Sequence, residues 1–314
     1  MCNRIVFALV AICILLPVNG IAQTFSPFQF LRVNQTARSA ALGGSTVAMI
    51  EDPGAMFLNP AAISTVNERK ITATFNKHVL DLNSGLLSFV NPINNATWGL
   101  AVSYSSGGTF NGADVFGVPT GKDYIVSQVS VGGMYSAALD SGFYYGVGAN
   151  FVSATFTEGS TSALYLNGGI IYKIPRSRWN VGLSFLNVGR QLSKVGDVSE
   201  PLPMDVRIGV NHRLRGLPLL VNFSLTRLAE DHETVWERVK NFTIGGELYL
   251  GKVIEVRVGY DNAIRNAVSF TSQARMSGIS AGVGIHVKNT NIDYAATSLI
   301  SGVWMHRFGL SLGM

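Results

Sequence analysis

The order of apolar and polar residues along the chain is typical of a membrane β-barrel. Beyond about residue 68, runs of roughly ten residues alternate between the two kinds; in one of them Ile254, Val256 and Val258 alternate with Glu255 and Arg257. Successive side chains of a strand point to opposite faces, so each run has one apolar and one polar face. Short and long connections also alternate, as they do on the two sides of outer-membrane barrels. The sequence therefore predicts an all-β fold, a transmembrane antiparallel barrel.

Fourteen runs fit this description, an even number as in bacterial outer-membrane barrels. The barrel is expected over residues 68–314, with strands near 69–77, 84–91, 96–105, 125–138, 142–156, 162–174, 178–189, 204–214, 217–228, 240–250, 252–260, 277–288, 290–297 and 303–313. An even strand number places both termini in the periplasm. The long connections then fall on the extracellular side, namely 106–124, 190–203, 229–239 and 262–275.

Residues 1–22 are predicted to be a secretory signal peptide. Met1–Arg4 is a short positive region, Ile5–Pro17 is apolar, and Gly20–Ala22 offers small residues for cleavage, so that Gln23 starts the mature chain. The apolar run is shorter than the about 20 residues that a spanning helix needs. The predicted location is the bacterial outer membrane, reached by export through the inner membrane.

Composition removes several classes of function. Both cysteines, Cys2 and Cys13, lie in the predicted signal peptide, so a zinc–thiolate site or a cysteine nucleophile is excluded from the mature chain. Charged residues make up 14% of the chain, against about 25% in soluble domains, which agrees with a membrane barrel. The net charge of +5 is spread along the sequence. Without a basic cluster interleaved with aromatic residues, nucleic acid is not an expected partner.

The segment 23–67 differs from the barrel because it lacks the alternation of a strand. It contains Phe30–Val33, Ala37–Gly44 and Asp52–Ala62, stretches rich in small and apolar residues and broken by Gly-Gly, Pro-Gly and Asn-Pro. Such breaks indicate short helical turns. The segment is predicted to be a plug inside the barrel, since its apolar residues need cover; a periplasmic tail is the alternative.

Charged residues on the inward faces have two interpretations. Glu247, Glu255, Arg257, Asp293 and Arg307 all share the polar parity of their strands. They form either a substrate-binding ladder or, as we expect, pairs with one another or with the plug, because unpaired buried charge is costly. The five histidines lie on five separate segments, and the chain has no phosphate-binding loop, serine elbow or metal-spaced cluster. We therefore predict a non-enzymatic protein without cofactor or metal.

One set of motifs resembles a known family. The plug segment resembles the N-terminal signature of the FadL-type superfamily, most closely that of the PorV/PorQ family of the type IX secretion system, through Ala37, Arg38, Ala41, Leu42, Gly43, Gly44, Asp52, Asn59, Pro60 and Ala61. Asn187-Val188-Gly189 and Glu200-Pro201-Leu202-Pro203 are similar to the PorQ branch. The resemblance extends over essentially the whole mature chain.

This resemblance implies a scaffold role in Gram-negative protein secretion. Barrels of the family sit in outer-membrane lipid within the complex that fixes exported cargo to the cell surface. The implied partners are a sortase-like protein (PorU) and a PorZ-like surface protein, with a lipid or lipopolysaccharide as a further candidate ligand. Aromatic residues in the extracellular loops are the candidate partner contacts, because aromatics are frequent interface hot spots: Phe110, Phe116, Tyr124 and Trp236.

The alternative function is transport. FadL-type barrels take up hydrophobic compounds, with the N-terminal segment acting as a hatch. The path would be lined by apolar plug residues, namely Leu31, Met49, Ile50, Met56, Phe57 and Leu58. These residues also suit simple packing of the plug against the wall, which we expect. A water-filled pore is a third reading, disfavoured because the plug would fill the lumen of a barrel with about fourteen strands.

Overall fold

The chain forms a closed antiparallel barrel of fourteen strands. A computed structural model describes residues 26–78, 82–113, 118–157, 159–194, 199–230, 234–268 and 274–314. The predicted signal peptide lies outside these residues. The strands, in chain order, are β1 (Lys70–Lys77), β2 (Asn83–Ile93), β3 (Ala96–Ala113), β4 (Pro119–Asp140), β5 (Phe143–Phe156), β6 (Gly159–Lys173), β7 (Trp179–Ser193), β8 (Asp205–Arg213), β9 (Leu219–Leu225), β10 (Phe242–Leu250), β11 (Ile254–Asp261), β12 (Ile279–Val287), β13 (Thr290–Ile300) and β14 (Val303–Gly313).

The barrel is closed by its first and last strands. Lys70 of β1 lies opposite Gly313 of β14, and the ladder continues without a shift to the pair Lys77 and His306. Every strand also pairs with its neighbours in sequence. The predicted fold class and strand number are confirmed.

The outer surface carries an apolar belt. Exposed apolar side chains include Leu100, Val131, Val147 and Leu166 on the successive strands β3 to β6, and Val258 on β11. A belt of this kind on a closed barrel faces lipid. No helix among the described residues is long and apolar enough to cross a bilayer. The chain is an outer-membrane barrel.

The wall of the barrel is uneven in height. Strands β3 and β4 contain 18 and 22 residues, whereas β8 has 9 and β9 has 7. The tall side runs from β3 to β7, and the low side begins at β8. Since the short turns mark the periplasmic end, the difference lies mainly at the extracellular end.

The tall side corrects one prediction. The segment 106–124 was expected to be a loop, but β3 and β4 continue through most of it, with Phe110 opposite Tyr124. Register shifts accompany the extension, between Ser106 and Thr109 and again between Asn111 and Ala113. This part of β3 and β4 lies outside the membrane, where a two-stranded ribbon does not need an apolar face. Its sequence is therefore polar and rich in glycine, like that of a loop.

Short helices occupy two predicted loops on the low side. Val235–Lys240 forms a helix within the predicted loop 229–239 and continues just past it, and Asn262–Ala267 forms another within 262–275, followed by a short turn at Ala274–Met276. The predicted loop 190–203 starts later than expected, because β7 continues to Ser193.

Residues 26–66 lie inside the barrel as the predicted plug. They contain one α-helix, Ala37–Ala41, and three 3₁₀ helices, Gln29–Arg32, Pro53–Phe57 and Pro60–Thr65. Three of these helices have an N-cap residue whose side chain accepts a backbone N–H of the first turn: Thr36, Asp52 and Asn59. Such capping satisfies helix termini that cannot be hydrated inside a filled lumen.

Candidate functional site

The plug descends through the lumen from the extracellular half to the periplasmic end. Near its start, Phe28 and Phe30 pack with Val152, Tyr165 and Leu202 on the tall side. At its end, Val66 leads to β1, which begins at the periplasmic rim. The plug is therefore the feature that any ligand crossing the lumen meets.

A ring of inward-facing glycines lets the plug backbone touch the wall. A Cβ atom added at any of these positions would lie within 3 Å of a plug atom. They occur on seven strands, at Gly146, Gly169, Gly182, Gly209, Gly245, Gly259 and Gly282. Six of the seven form directly opposed pairs between neighbouring strands: Gly146 with Gly169, Gly182 with Gly209, and Gly245 with Gly259.

The Ala-Leu-Gly-Gly element of the plug packs on this ring. At Gly259 a Cβ would lie 2.2 Å from the backbone nitrogen of Gly43, and at Gly245 one would lie 2.6 Å from the carbonyl oxygen of Leu42. Gly43 itself has a φ of 65°, a left-handed conformation that favours glycine. The motif is thus a site of backbone contact with β10 and β11.

The Asn-Pro-Ala element is held on the opposite wall. Asn59 is fully buried; its amide donates to the carbonyl oxygens of Val47 and Ile170 at 2.8 and 3.1 Å. Its side-chain oxygen accepts from the backbone N–H of Ala61 at 3.0 Å. One amide therefore ties two parts of the plug to β6, because every one of its groups has a partner.

A charged cluster joins the plug to β10, β11 and β13. Arg38 donates to both carboxylate oxygens of Glu247, at 3.0 and 2.7 Å. Arg257 donates to the same carboxylate at 2.6 Å and pairs with Glu255 and Asp293. We call Arg38, Glu247, Arg257, Glu255 and Asp293 the plug latch. The pairing of inward charges with one another and with the plug is what the sequence predicted.

Arg38 stays charged in this setting. Burial alone would lower the pKa of its guanidinium, but the carboxylates of Glu247 and Asp52 raise that pKa well above the usual value. Tyr249 completes the shell of Glu247 by donating to it at 2.7 Å. The latch is therefore a satisfied charged network in a partly dry lumen.

The plug separates two cavities. The periplasmic cavity has a volume of about 530 Å³ and is lined by Thr36, Ala37 and Arg38 of the plug and by Arg178 and Arg213 of the wall, among others. The extracellular cavity has about 540 Å³ and is lined on the plug side by Arg32, Val33, Asn34, Ala40 and Gly43. Both have the size of small-molecule sites.

The structure places the predicted plug and path residues in packing positions. Ala37, Ala41, Leu42, Ala61, Met49, Met56 and Leu58 are buried. Leu31 packs beside Phe28 and Phe30, Ile50 beside Met49 and Leu42, and Phe57 beside Met56 and Ile63. Gly44 lies against the side chain of Asn34, and Pro60 against Gly146.

The predicted partner contacts lie apart from the plug. Trp236 is 77% exposed on the helix Val235–Lys240, and Tyr124 is 41% exposed on β4. The backbone of Phe110 lies on β3, and Phe116 falls outside the described residues. Tyr124 and Trp236 belong to two separate regions of the extracellular end.

Sequence reasoning missed the glycine ring and the role of Arg307 in the extracellular cavity. The glycines carried a signal, because they take the inward parity in runs such as Tyr145-Gly146-Val147, but glycines also serve turns and bulges. Arg307 was predicted to point inward and to be paired. It does point inward, but no carboxylate among the described residues lies within ion-pair distance of it.

Three solved structures with a similar fold are described as a transporter or as channels. The toluene transporter TbuX of Ralstonia pickettii is 15% identical, with 89% of this chain and 98% of that chain covered and a TM-score of 0.59. The monoaromatic hydrocarbon channel CymD is 10% identical, with 90% and 98% covered and a TM-score of 0.62. The deltaS2 mutant of the monoaromatic hydrocarbon channel TodX is 13% identical, with 88% of this chain and 97% of that chain covered and a TM-score of 0.56. No family model and no curated protein matches the sequence. At these identities the likeness shows the fold alone, a closed antiparallel β-barrel.

Proposed function

We propose that this outer-membrane barrel takes up small hydrophobic molecules, and that its plug must shift for a molecule to pass. The three structural relatives are described as a toluene transporter and monoaromatic hydrocarbon channels, and the likeness covers nearly their whole length. This supports transport over the scaffold role that the sequence resemblance implies. None of these relatives is described as an enzyme.

The observation that carries the proposal is the division of the lumen. Two cavities of small-molecule size lie on the two sides of one segment, residues 34–43, which lines both of them. That segment is joined to the wall by the plug latch as well as by apolar packing of Ala37, Ala40 and Ala41. A plug that blocks the path between the two cavities accounts for the position of this segment in the lumen and for its attachment to the wall.

The test is an uptake measurement in cells with intact lipopolysaccharide. Cells that express the protein and cells with an empty vector receive a radiolabelled alkylbenzene or, separately, a labelled sugar of similar size. We expect the initial uptake rate of the alkylbenzene to rise several-fold with the protein and that of the sugar to stay unchanged. Equal alkylbenzene rates in the two strains would overturn the proposal, and a rise for the sugar would establish a water-filled pore instead.

A second candidate is the scaffold role in type IX secretion. The observation that favours it is Trp236, a large aromatic side chain that is 77% exposed at the extracellular end, where partner contacts of a rigid barrel are carried. The partners proposed are a PorU-type sortase-like protein and a PorZ-like surface protein.

Affinity purification from outer membranes in mild detergent, followed by mass spectrometry, tests this candidate. We expect the partners to co-purify in near-equal amounts with the wild-type protein and to be lost with Trp236→Ala. Trp98→Ala is the control, because Trp98 is exposed on the lipid-facing belt of β3. Recovery of the barrel alone, or with bound lipid only, would contradict the scaffold role.

A further inference from the structure

The periplasmic mouth of the lumen carries three cations without a carboxylate partner. Lys173, Arg178 and Arg213 are exposed and line the periplasmic cavity; we call them the mouth cations. Among the described residues no carboxylate lies within 4.0 Å of any of them. Arg38 and Arg257 of the plug latch differ, because carboxylates pair with both. The mouth therefore holds positive charge that the described part of the protein does not neutralise.

The mouth cations come from the periplasmic ends of three neighbouring strands. Lys173 ends β6, Arg178 lies directly before β7, and Arg213 ends β8. The backbone N–H of Arg213 donates to the carbonyl oxygen of Arg178 at 3.2 Å. Hydrogen-bonded strands lie about 4.8 Å apart, so the three backbones span about 10 Å. Lysine and arginine side chains are long enough to meet at one point over that distance.

The mouth cations face the lumen and not the lipid. The next residues along β7 and β8, Trp179 and His212, have the lipid-facing parity, and their rings stack with centroids 4.2 Å apart. Because successive side chains of a strand point to opposite faces, Arg178 and Arg213 point the other way, into the cavity that they line. A ligand of these residues therefore reaches them through the periplasmic mouth.

Neutral contacts orient both arginines. A terminal nitrogen of Arg178 donates to the carbonyl oxygen of Leu214 at 3.0 Å. The guanidinium of Arg213 lies 4.7 Å from the centre of the Tyr249 ring. Neither contact neutralises the charge, and an arginine fork has further N–H donors to offer. Two oriented guanidinium groups thus present donors at the mouth.

The carboxylates of the periplasmic cavity do not offset the mouth cations. Three of the four that line it are paired with Arg38 or Arg257, namely Asp52, Glu255 and Asp293. The fourth, Glu51, is exposed and has no ion pair among the described residues. Arg176 and Arg215 add two exposed cations on the turns that follow β6 and β8. The mouth therefore has an excess of positive charge.

We infer that the periplasmic mouth binds a phosphate group through Arg178, Arg213 and Lys173. One arginine fork already satisfies the two oxygens of a carboxylate, whereas a phosphate group presents more oxygens and carries up to about two negative charges. Two forks and an ammonium group match that ligand. The phosphate group belongs either to the free ion or to the headgroup of a phospholipid of the periplasmic leaflet. The inference does not depend on the transport function.

Calorimetric titration of the purified full-length barrel tests the inference. The protein is kept in non-ionic detergent and a phosphate-free buffer of low ionic strength, because salt screens exposed charges. Inorganic phosphate is compared with acetate. We expect phosphate to bind at least about tenfold more tightly, the range of one additional charged hydrogen-bonded contact.

A second titration distinguishes the two sources of the phosphate group. Dihexanoylphosphatidylglycerol and dihexanoylglycerol share their acyl chains and differ in the phosphate. Tighter binding of the phospholipid than of both dihexanoylglycerol and free phosphate would support the headgroup, and binding of free phosphate at least as tight as that of the phospholipid would support the ion. The absence of a phosphate preference in both titrations would overturn the inference. Binding of hexaglutamate in that case would assign the mouth to an acidic protein segment instead.

Variants then assign the preference to its residues. Arg178→Gln combined with Arg213→Gln should abolish the phosphate preference, and Lys173→Gln should weaken phosphate binding by a smaller factor. Arg190→Gln is the control, because Arg190 is an exposed arginine near the extracellular end of β7 that lines neither cavity. Circular dichroism should show the same folded barrel in all variants. A phosphate preference that survives in the double variant would overturn the assignment.

Discussion

Arg38 of the plug and Glu247 of β10 form a bidentate ion pair, with hydrogen bonds of 3.0 and 2.7 Å between the guanidinium and the two carboxylate oxygens. Glu247 is fully buried, and Arg257 shares it from the neighbouring strand. The pair is the charged contact between the segment that separates the two cavities and the wall. Removing this ion pair should loosen the plug and leave the strands of the barrel folded.

Arg38→Ala should loosen the plug. Removing one partner of a buried pair costs about 3–5 kcal/mol, and since Arg257 remains beside Glu247 we expect about 2–3 kcal/mol here. Hydrogen exchange by mass spectrometry should show faster exchange across residues 36–44, with the strands of the barrel unchanged. Arg38→Lys, which keeps the charge but not the fork, should lie in between. Unchanged exchange in Arg38→Ala would show that the latch does not hold the plug.

Two adjacent glycines on β6 should respond oppositely to alanine. At Gly169 a Cβ would lie 1.9 Å from the side-chain oxygen of Asn59, so Gly169→Ala should displace the Asn-Pro-Ala element and lower the melting temperature. At Gly168 nothing lies within 4 Å, so Gly168→Ala should be neutral or stabilising by up to about 1 kcal/mol. Thermal unfolding by circular dichroism compares the two. Equal losses would assign the effect to strand propensity and not to the plug.

A disulfide between Ala37 and Gly309 should lock the plug. A Cβ at Gly309 would lie 3.4 Å from that of Ala37, close to the about 3.5–4.5 Å found in disulfides. Both natural cysteines lie in the predicted signal peptide, so Ala37→Cys with Gly309→Cys adds the only thiols of the mature chain. We expect the oxidised variant to lose alkylbenzene uptake and a reductant to restore it. Each single substitution is the control. Full uptake by the cross-linked protein would show that uptake does not require this helix to move.

His78 should remain neutral well below its usual range. It follows the extracellular end of β1, where burial lowers the pKa of its ring to about 4 and the charge of Arg307 acts in the same direction. Carbon-13 NMR of labelled histidine should detect this titration. Arg307→Gln should move the pKa upward, although burial should hold it below about 6.5. A pKa near 6.5 in the wild-type protein would contradict the described placement of the ring.

The same shift has a consequence for stability. Because the folded state binds a proton at His78 less readily than the unfolded chain, the contribution of this group to stability is fully present above about pH 6.5. It declines as the pH falls from about 6.5 towards the folded value of about 4. Thermal unfolding at pH 7 and pH 4.5 measures the effect, with His78→Gln as the control that should reduce the difference.

The barrel could be predicted from the sequence because the membrane imposes strict alternation. Where that constraint ends, the sequence predicts less: the polar extension of β3 and β4 past the membrane has the composition of a loop, although Phe110 lies opposite Tyr124 in the ladder. Inward parity identified Glu247 and Arg257, but parity does not tell which charges become neighbours. The uncompensated Arg307 could therefore be recognised only when its surroundings were known.

The uneven wall has a consequence for the lipid around the protein. At a rise of about 3.3 Å per residue and a tilt of about 40°, the 7 residues of β9 span roughly 18 Å along the membrane normal, less than the about 25 Å of a typical apolar band. The 22 residues of β4 span roughly 56 Å by the same reasoning. A bilayer meets a short hydrophobic wall by thinning. We therefore expect the membrane to be thinner beside β8 and β9, while on the opposite side the β3–β4 ribbon extends beyond the bilayer.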